Sequence, residues 1–283
     1  MTKIQTFADL LTSCKQMSTM AKMAIASADD EHTLEAVMKA HRLKIANPVL
    51  VGDAAKIEAS LESLGFSAAD YAIFHAPDNI EAARLAVSLV REGKADFLMK
   101  GSCPTADLLR AVVDKEKGLS ANRLMSHCTI LEIPCLGRLI AVSDGGMVPY
   151  PDLMAKKAII ENAAAVFHGF GNAMPKVGVL TSIEVVNPKM PETVEAAKLA
   201  EMNLKGEIEG CIVAGPISYD VAMDPESARY KGYDGPVQGD PVRVPSPVIH
   251  VPIGEGWQAD LMAVKQGLGP ADFAVDLRSL HMA

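Results

Sequence analysis

The sequence lacks the features that mark membrane, disulfide-rich and nucleic-acid-binding proteins. No stretch approaches the roughly 20 apolar residues that cross a bilayer, and the N-terminus is too polar for a signal peptide, so we expect a cytoplasmic protein without a membrane partner. The five cysteines are scattered without CxxC spacing, which favours reduced thiols and gives no support to a metal site. With Lys+Arg 27 against Asp+Glu 35, the net charge of -8 argues against a broadly basic surface, and no nucleic-acid partner is expected.

The chain does contain an alternation of short apolar runs and longer helical patterns, which is typical of parallel α/β proteins. Its 283 residues are enough for two modest domains. Helices are predicted at 5–27, 29–46, 53–64, 79–93, 105–117, 151–170, 192–202 and 258–267. Strands are predicted at 48–51, 71–74, 96–99, 128–133, 139–142, 176–180, 210–214 and 248–251, with 128–133 and 139–142 pairing as a hairpin.

The first candidate site follows the predicted strand at 96–99, where Lys100 and Gly101 lead into a helix that begins at Thr105. Helix N-termini at the carboxyl ends of parallel strands bind anions, so Thr105 is predicted to cap this helix and contact a phosphate, with Lys100 and Arg110 supplying positive charge. The alternative is a purely structural cap and a solvated arginine, because the phosphate-loop pattern GxxxxGK[ST] is absent.

The second candidate site surrounds Asp144, which precedes two glycines at a predicted strand end. Glycines allow a ligand to approach the backbone, whereas the alternative is a tight turn in which Asp144 bonds its own backbone. Ser126 and His127 suggest a nucleophile and a base, but adjacent residues on extended backbone point to opposite faces, which favours a structural His127.

The third candidate site follows the predicted strand at 210–214, where a Gly-Pro turn leads to Ser218 and Asp220. Asp220 is a candidate to orient a reacting group or to act as a general base, and Lys231 is a candidate anion contact. The alternative is that Asp220 caps a helix and Lys231 is an exposed lysine.

Taken in this order, the motifs resemble the phosphate acetyltransferase and butyryltransferase family. The similarity extends over roughly residues 28–240, and its Asn-Pro-Lys-Met-Pro run makes it specific. The similar segments are Ala40-His-Arg-Leu-Lys-Ile-Ala-Asn-Pro-Val-Leu-Val-Gly-Asp53, Leu98-Met-Lys-Gly101, Thr105-Ala-Asp-Leu-Leu-Arg110, Ser126-His127, Ser143-Asp-Gly-Gly-Met147, Glu184-Val-Val-Asn-Pro-Lys-Met-Pro191, Gly215-Pro216 with Asp220, and Lys231-Gly232.

The resemblance implies reversible transfer of a short acyl group (acetyl, propionyl or butyryl) between coenzyme A and inorganic phosphate, with coenzyme A as a substrate and no permanently bound cofactor. It also implies two doubly wound α/β domains with a cleft between them, as in the isocitrate and isopropylmalate dehydrogenase fold, and a homodimer. We place the domains at 1–124 and 125–249, with part of 250–283 returning to the first. The expected catalytic residues are Asp220, Asp144 and Ser126, and the expected phosphate or coenzyme A contacts are Lys100, Gly101, Thr105, Arg110, Ser218 and Lys231.

The C-terminal residues depart from the family pattern, which has a Ser-Arg pair followed shortly by an Asp. Here Asp276, Arg278 and Ser279 occur in a different order. One interpretation is an acyltransferase whose tail rebuilds the site, and the other is a chain altered by a shifted or degraded reading frame, leaving a catalytically silent binder of coenzyme A or phosphate. A third, an oxidoreductase on a similar fold, is weaker because no GxGxxG motif follows a predicted strand.

Overall fold

The computed structural model describes residues 3–119, 123–133 and 136–236, and the backbone of 248–251. These residues divide into two compact units, one within Leu11–Asn122 and the other within Met1–Leu10 and Arg123–Val275. The domain ranges 1–124 and 125–249 remain a prediction. Several sequence-based predictions lie outside the described residues, namely the helix at 258–267, the return of residues 252–283 to the first domain, and the roles of Asp276, Arg278 and Ser279.

The unit within Leu11–Asn122 is built on a four-stranded parallel sheet in the order β3-β2-β1-β4. The strands are β1 (Ala21–Ala26), β2 (Ala46–Gly52), β3 (Ala72–His75) and β4 (Phe97–Lys100). The helices are α1 (Phe7–Gln16), which spans the boundary between the units, α2 (Glu31–Arg42), α3 (Ala54–Ser63), α4 (Asn79–Arg91) and α5 (Thr105–Val112), with a 3-10 turn at Ala68–Asp70.

Helices cover both faces of this sheet. Successive residues of β1 point to opposite faces, so each face of the strand packs against different helices. Ala24 and Ala26 pack in a core with residues of α4 and α5, whereas Met23 and Ile25 pack with residues of α2 and α3. The sheet is therefore the central layer of a three-layer unit.

The first two predicted helices are wrong in part. The helix predicted at 5–27 ends at Gln16, and Ala21–Ala26 form β1 instead. The second predicted helix shortens to α2, and the helix predicted at 105–117 ends at Val112 because Asp114 accepts the N–H groups of Glu116 and Lys117 in a turn. The other predicted helices and strands in the described residues lie within about three residues of their expected bounds.

The second unit is built on a five-stranded sheet in the order β5-β6-β9-β7-β8. The strands are β5 (Thr129–Ile133), β6 (Arg138–Val142), β7 (Lys176–Leu180), β8 (Ile212–Ile217) and β9 (Val248–Val251). The predicted β5–β6 hairpin is confirmed as an antiparallel pair, and the other strand pairs are parallel.

Helices cover both faces of this sheet as well. They are α6 (Leu153–Gly169), α7 (Pro191–Leu204), α8 (Tyr219–Met223) and α9 (Pro225–Tyr230). Residues of α6 and α7 form a core on one face, and residues of α8 and α9 form a smaller core with Leu180 and Ala214. The predicted α/β class with parallel sheets is thus confirmed, and within the described chain no helix is both long and apolar enough to cross a membrane.

Candidate functional site

Helix α5 begins directly after β4, as the sequence predicts, but Thr105 does not cap it. Pro104 is the N-cap residue, it provides no side-chain hydrogen bond, and Thr105 is the exposed first residue of the helix. The first N–H groups of a helix have no intrahelical partners, so this uncapped N-terminus presents its donors toward solvent or a ligand.

Gly101 allows a very close approach between the ends of β1 and β4. Its N–H donates to the carbonyl oxygen of Ala26 at 2.8 Å, and an added Cβ would lie 2.1 Å from the carbonyl oxygen of Ser27. No side chain fits in this space, so a glycine is required to hold the turn that leads from β4 into α5.

The predicted cations of this first site each have an internal partner. The Lys100 ammonium donates to the carbonyl oxygens of Gly101 and Cys103, both at 3.1 Å. Arg110 pairs with Asp107 at 2.9 Å, and its side chain is 70% exposed. The alternative of a solvated helix arginine fits this arrangement, and anion binding by Lys100 and Arg110 stays a prediction.

Asp144 is buried and lies in a turn in which its carboxylate is fully occupied. Its oxygens accept the backbone N–H groups of His127, Gly146 and Met147, each at 2.7 Å. Burial opposes ionisation, but these donors outweigh it and hold the pKa of Asp144 below its usual value. The geometry is that of the tight-turn alternative, and a catalytic Asp144 stays a prediction.

Ser126 and His127 form no nucleophile–base pair in the structure. The Ser126 hydroxyl accepts from the Asn162 amide at 2.9 Å, whereas the ring nitrogens of His127 lie 3.4 Å from the Thr129 hydroxyl. The His127 backbone carbonyl accepts from Ser143 at 2.7 Å. A structural His127, the favoured interpretation from sequence, agrees with these contacts, and catalysis by Ser126 stays a prediction.

The residues of the third candidate site do lie together, just beyond the carboxyl end of β8. The Ser218 hydroxyl lies 2.6 Å from Asp220 Oδ1, and the Lys231 ammonium lies 3.0 Å from Asp220 Oδ2 and 3.2 Å from Ser218 Oγ. Neither alternative from sequence describes this set fully, because Asp220 is bound in an ion pair and Lys231 is engaged by three side chains rather than free in solvent.

Glu184 completes this set, and sequence reasoning assigned it no chemical role. Its Oε1 atom accepts from the Ser218 hydroxyl and from the Lys231 ammonium, the latter at 2.9 Å. It belongs to the loop between β7 and α7, far from Ser218 in sequence. The one available signal was its position at the start of the family-like Glu184–Pro191 run.

Electrostatics keep both carboxylates of this set ionised. Burial disfavours the charged form of Asp220, but hydrogen bonds from Ser218 and Lys231 and the charge of Lys231 hold its pKa below the usual value. The same two donors lower the pKa of Glu184 against the effect of burial. Hydrogen bonds to Glu184 and Asp220 raise the pKa of Lys231, so the set carries two negative charges and one positive charge at neutral pH.

A cavity of ≈ 330 Å³ adjoins this set on the side of α8 and α9. Its size is at the lower end of the range for small-molecule sites. It is lined by Asp220, Asp224, Glu226, Ser227, Tyr230 and Lys231. In the part of the chain that the structure describes, no group of three or more His, Cys, Asp and Glu side chains is arranged to hold a metal ion.

Comparison with known proteins identifies the family. The family model for phosphate acetyl/butaryl transferase matches residues 74–242. The chain is 40% identical over 236 residues to a phosphate butyryltransferase of Clostridium acetobutylicum, covering 83% of this chain and 78% of the relative. The chain belongs to the phosphate acetyl/butyryl transferase family.

Other relatives and solved structures agree with this assignment. A phosphate acetyltransferase of Thermotoga maritima is 42% identical over 218 residues, covering 77% of this chain and 74% of the relative. A branched-chain phosphotransacylase from Enterococcus faecalis superposes with a TM-score of 0.71 at 27% identity, covering 87% of this chain and 83% of that chain. A phosphotransacetylase from Streptococcus pyogenes, at 17% identity and a TM-score of 0.72 over 92% of this chain and 86% of that one, shares the fold. The predicted family is confirmed, and the protein is an acyltransferase of the phosphate acetyl/butyryl transferase type.

Proposed function

We propose that this transferase moves a short acyl group (acetyl, propionyl or butyryl) reversibly between coenzyme A and inorganic phosphate. The observation that carries the proposal is the Ser218–Asp220–Lys231 set at the end of β8, next to a cavity, in a chain whose relatives are named phosphate butyryltransferase and phosphate acetyltransferase. The uncapped start of α5 supports the proposal with backbone donors suited to an anion.

The chemistry of this transfer assigns distinct tasks to the predicted residues. A phosphate oxygen attacks the thioester carbonyl, the carbon–sulfur bond breaks, and the leaving thiolate takes up a proton, giving an acyl phosphate and free coenzyme A. In the reverse direction a base must remove the thiol proton, and a thiol has an ordinary pKa of about 8.5. The lowered pKa of Asp220 makes it a weak base for that step, which favours its orienting role over its role as a general base.

The candidates for binding phosphate are the cations Lys100, Arg110 and Lys231 and the N-terminus of α5. Lys231 is shared by two carboxylates, so an incoming phosphate there faces negative charge from Glu184 and Asp220. Lys100, Gly101, Thr105 and Arg110 are therefore the stronger candidates for the anion, with Lys231 serving mainly to hold the carboxylates. Every bond made or broken lies in the substrates, so the proposal includes no permanently bound cofactor.

The proposal extends to the whole protein as a cytoplasmic homodimer with domains at 1–124 and 125–249, the first completed by part of 250–283. The dimer and the two domains rest on the family resemblance. The net charge of -8 separately disfavours nucleic acid as a partner. Gel filtration with light scattering measures the dimer directly, and a monomer mass at micromolar concentration contradicts it.

The decisive experiment measures release of coenzyme A from acetyl-, propionyl- and butyryl-CoA when phosphate is added, with a thiol reagent as detector. We expect phosphate-dependent turnover with at least one of the three. Absence of turnover with all three rejects the proposal. The catalytically silent binder is then tested by thermal shift, because coenzyme A at a hundredfold excess over its Kd adds about 2.7 kcal/mol of stability without chemistry.

A matched pair of arginine variants tests the anion site. Arg110 and Arg84 each pair with an acid three residues earlier, and their side chains are 70% and 64% exposed. If Arg110 contacts the phosphate of a substrate, Arg110→Ala raises the KM for that substrate about tenfold, the value of one charged hydrogen bond, whereas Arg84→Ala leaves it within about twofold. Equal KM values in both variants remove Arg110 from the site.

A further inference from the structure

We propose that Glu184 is a positioning residue for the reaction: it fixes the Lys231 ammonium and the Ser218 hydroxyl, and thereby sets how Asp220 is presented to the substrate. The kinetic part of this inference rests on the acyl transfer proposed above. The structural part concerns the four side chains alone.

Glu184 joins three elements that are separate in the chain. It lies in the loop between β7 and α7, Ser218 follows β8, and Lys231 follows α9. Glu184 Oε1 receives hydrogen bonds from both of the other two residues, and at 22% exposure its side chain is more buried than that of Lys231, at 37%. The carboxylate is thus the more buried member of the pair.

The count of available protons shows what Glu184 controls. A serine hydroxyl donates one hydrogen bond, yet the Ser218 oxygen lies within bonding distance of carboxylate oxygens of both Glu184 and Asp220. The Lys231 ammonium has three protons and reaches Glu184, Ser218 and Asp220. Glu184 therefore competes with Asp220 for the one Ser218 proton, and it shares the positive charge of Lys231 with Asp220.

Loss of the Glu184 charge has a defined electrostatic consequence for Asp220. Among the described residues, the other charged or titratable groups that face Asp220 or line the adjoining cavity are Lys231, Asp224, Glu226 and Tyr230, and Tyr233 interacts electrostatically with Glu184. Removing one negative neighbour leaves Lys231 to Asp220 alone, which stabilises the ionised form and lowers the pKa of Asp220 further. A more tightly paired Asp220 is less able to contact a substrate.

The kinetic experiment compares Glu184→Gln and Glu184→Ala with the control Glu201→Gln. The control removes an exposed Glu–Lys pair at the C-terminus of α7, between Glu201 and the C-cap residue Lys205 at 2.6 Å. Glutamine keeps an acceptor oxygen and alanine does not, so we expect kcat to fall about tenfold in Glu184→Gln and about a hundredfold in Glu184→Ala, the usual range for lost orientation, with KM within about twofold. Glu201→Gln keeps the wild-type kcat. A fall in melting temperature without a change in kcat overturns the positioning role.

A titration decides the inference independently of turnover. The pKa of Asp220, followed by NMR of its carboxyl carbon in the full-length protein, is expected to be lower in Glu184→Gln than in wild type and unchanged in Glu201→Gln. An unchanged Asp220 titration overturns the inference even if the enzyme is active. A wild-type protein without acyl transfer rejects the proposed function and leaves the titration as the test of the Glu184 role.

Discussion

At the scale of single residues, Asp144 shows how a carboxylate can be used entirely by the backbone. The donors at 2.7 Å come from the turn that it begins and from His127, two residues before β5. An asparagine cannot replace it, because one side-chain atom becomes an N–H donor and faces another backbone donor.

Asp144→Asn is expected to destabilise the protein by about 2 kcal/mol at pH 7, the cost of leaving a buried donor unpaired. The folded-state pKa of Asp144 is below its unfolded value, so its stabilising effect is full above about pH 5 and is lost as the pH falls below 4 through the folded-state pKa. Urea unfolding at pH 7, 5 and 3 measures the difference in unfolding free energy between the wild type and Asp144→Asn, and this difference should be smaller at pH 3. Asp152→Asn is the control, because Asp152 caps α6 through one N–H and asparagine caps equally well. If Asp144→Asn loses the same stability at all three pH values, the stabilising effect does not come from the ionised Asp144 carboxylate.

The predictable site residues are those whose neighbours are close in sequence. Ser218, Asp220 and Lys231 were predicted together, and two short helices return Lys231 to the end of β8. Glu184 reaches the same place from another loop, and nothing in its spacing from Ser218 indicates this contact. Thr105 failed as a cap because Pro104 already provides the extended residue that precedes a helix.

At the scale of elements, the largest difference from the sequence-based prediction is β1, which the sequence predicts to be part of a helix. The environment of this strand explains the difference. The sequence Ala-Lys-Met-Ala-Ile-Ala reads as helical by propensity. As a central strand between β2 and β4 it is covered on both faces, where small side chains let the helices approach the sheet. Tertiary packing, which no local pattern reports, decides the structure of such a segment.

The contact between α6 and α7 contains a nearly buried ion pair. Lys156 of α6, at 4% exposure, donates to Glu195 of α7. Glu195→Ala leaves this ammonium buried without a partner and should cost about 2 kcal/mol or more, whereas Lys156→Met exchanges it for an apolar chain of similar length and should be nearly neutral. Urea unfolding of the two variants compares these costs. Glu201→Ala, at an exposed pair, is expected to cost less than about 0.5 kcal/mol. Equal losses from Lys156→Met and Glu195→Ala contradict this account.

At the scale of the whole molecule, each unit has its own hydrophobic core. Leu50 lies in the core on one face of the first sheet, and Ile160 lies in the core on one face of the second. The two cores have no residue in common. The α/β class was predictable because each strand and helix carries its own pattern, whereas the sharing of N-terminal residues with the second unit was not.

Leu50→Ala and Ile160→Ala are each expected to cost about 3 kcal/mol, because both side chains are fully buried. The two costs should add within about 0.5 kcal/mol in the double variant. Urea unfolding, monitored by circular dichroism, measures the unfolding free energies of the single and double variants. If the two units unfold in separate transitions, each substitution destabilises only the transition of its own unit. A double variant that departs from the sum by more than about 1 kcal/mol contradicts the independence of the cores.

Among the described strands of the second sheet, β9 is the last to be synthesised, although it lies inside the sheet. Val248–Val251 pair with β6 on one side and β7 on the other, so they join the two halves of the second sheet. The ribosome delivers these residues after the other described strands of that sheet and after the four described strands of the first sheet. Until then the nascent chain exposes two open strand edges, which are templates for association with other chains. Among the described strands, it is the pairing of β9 that covers both of these edges.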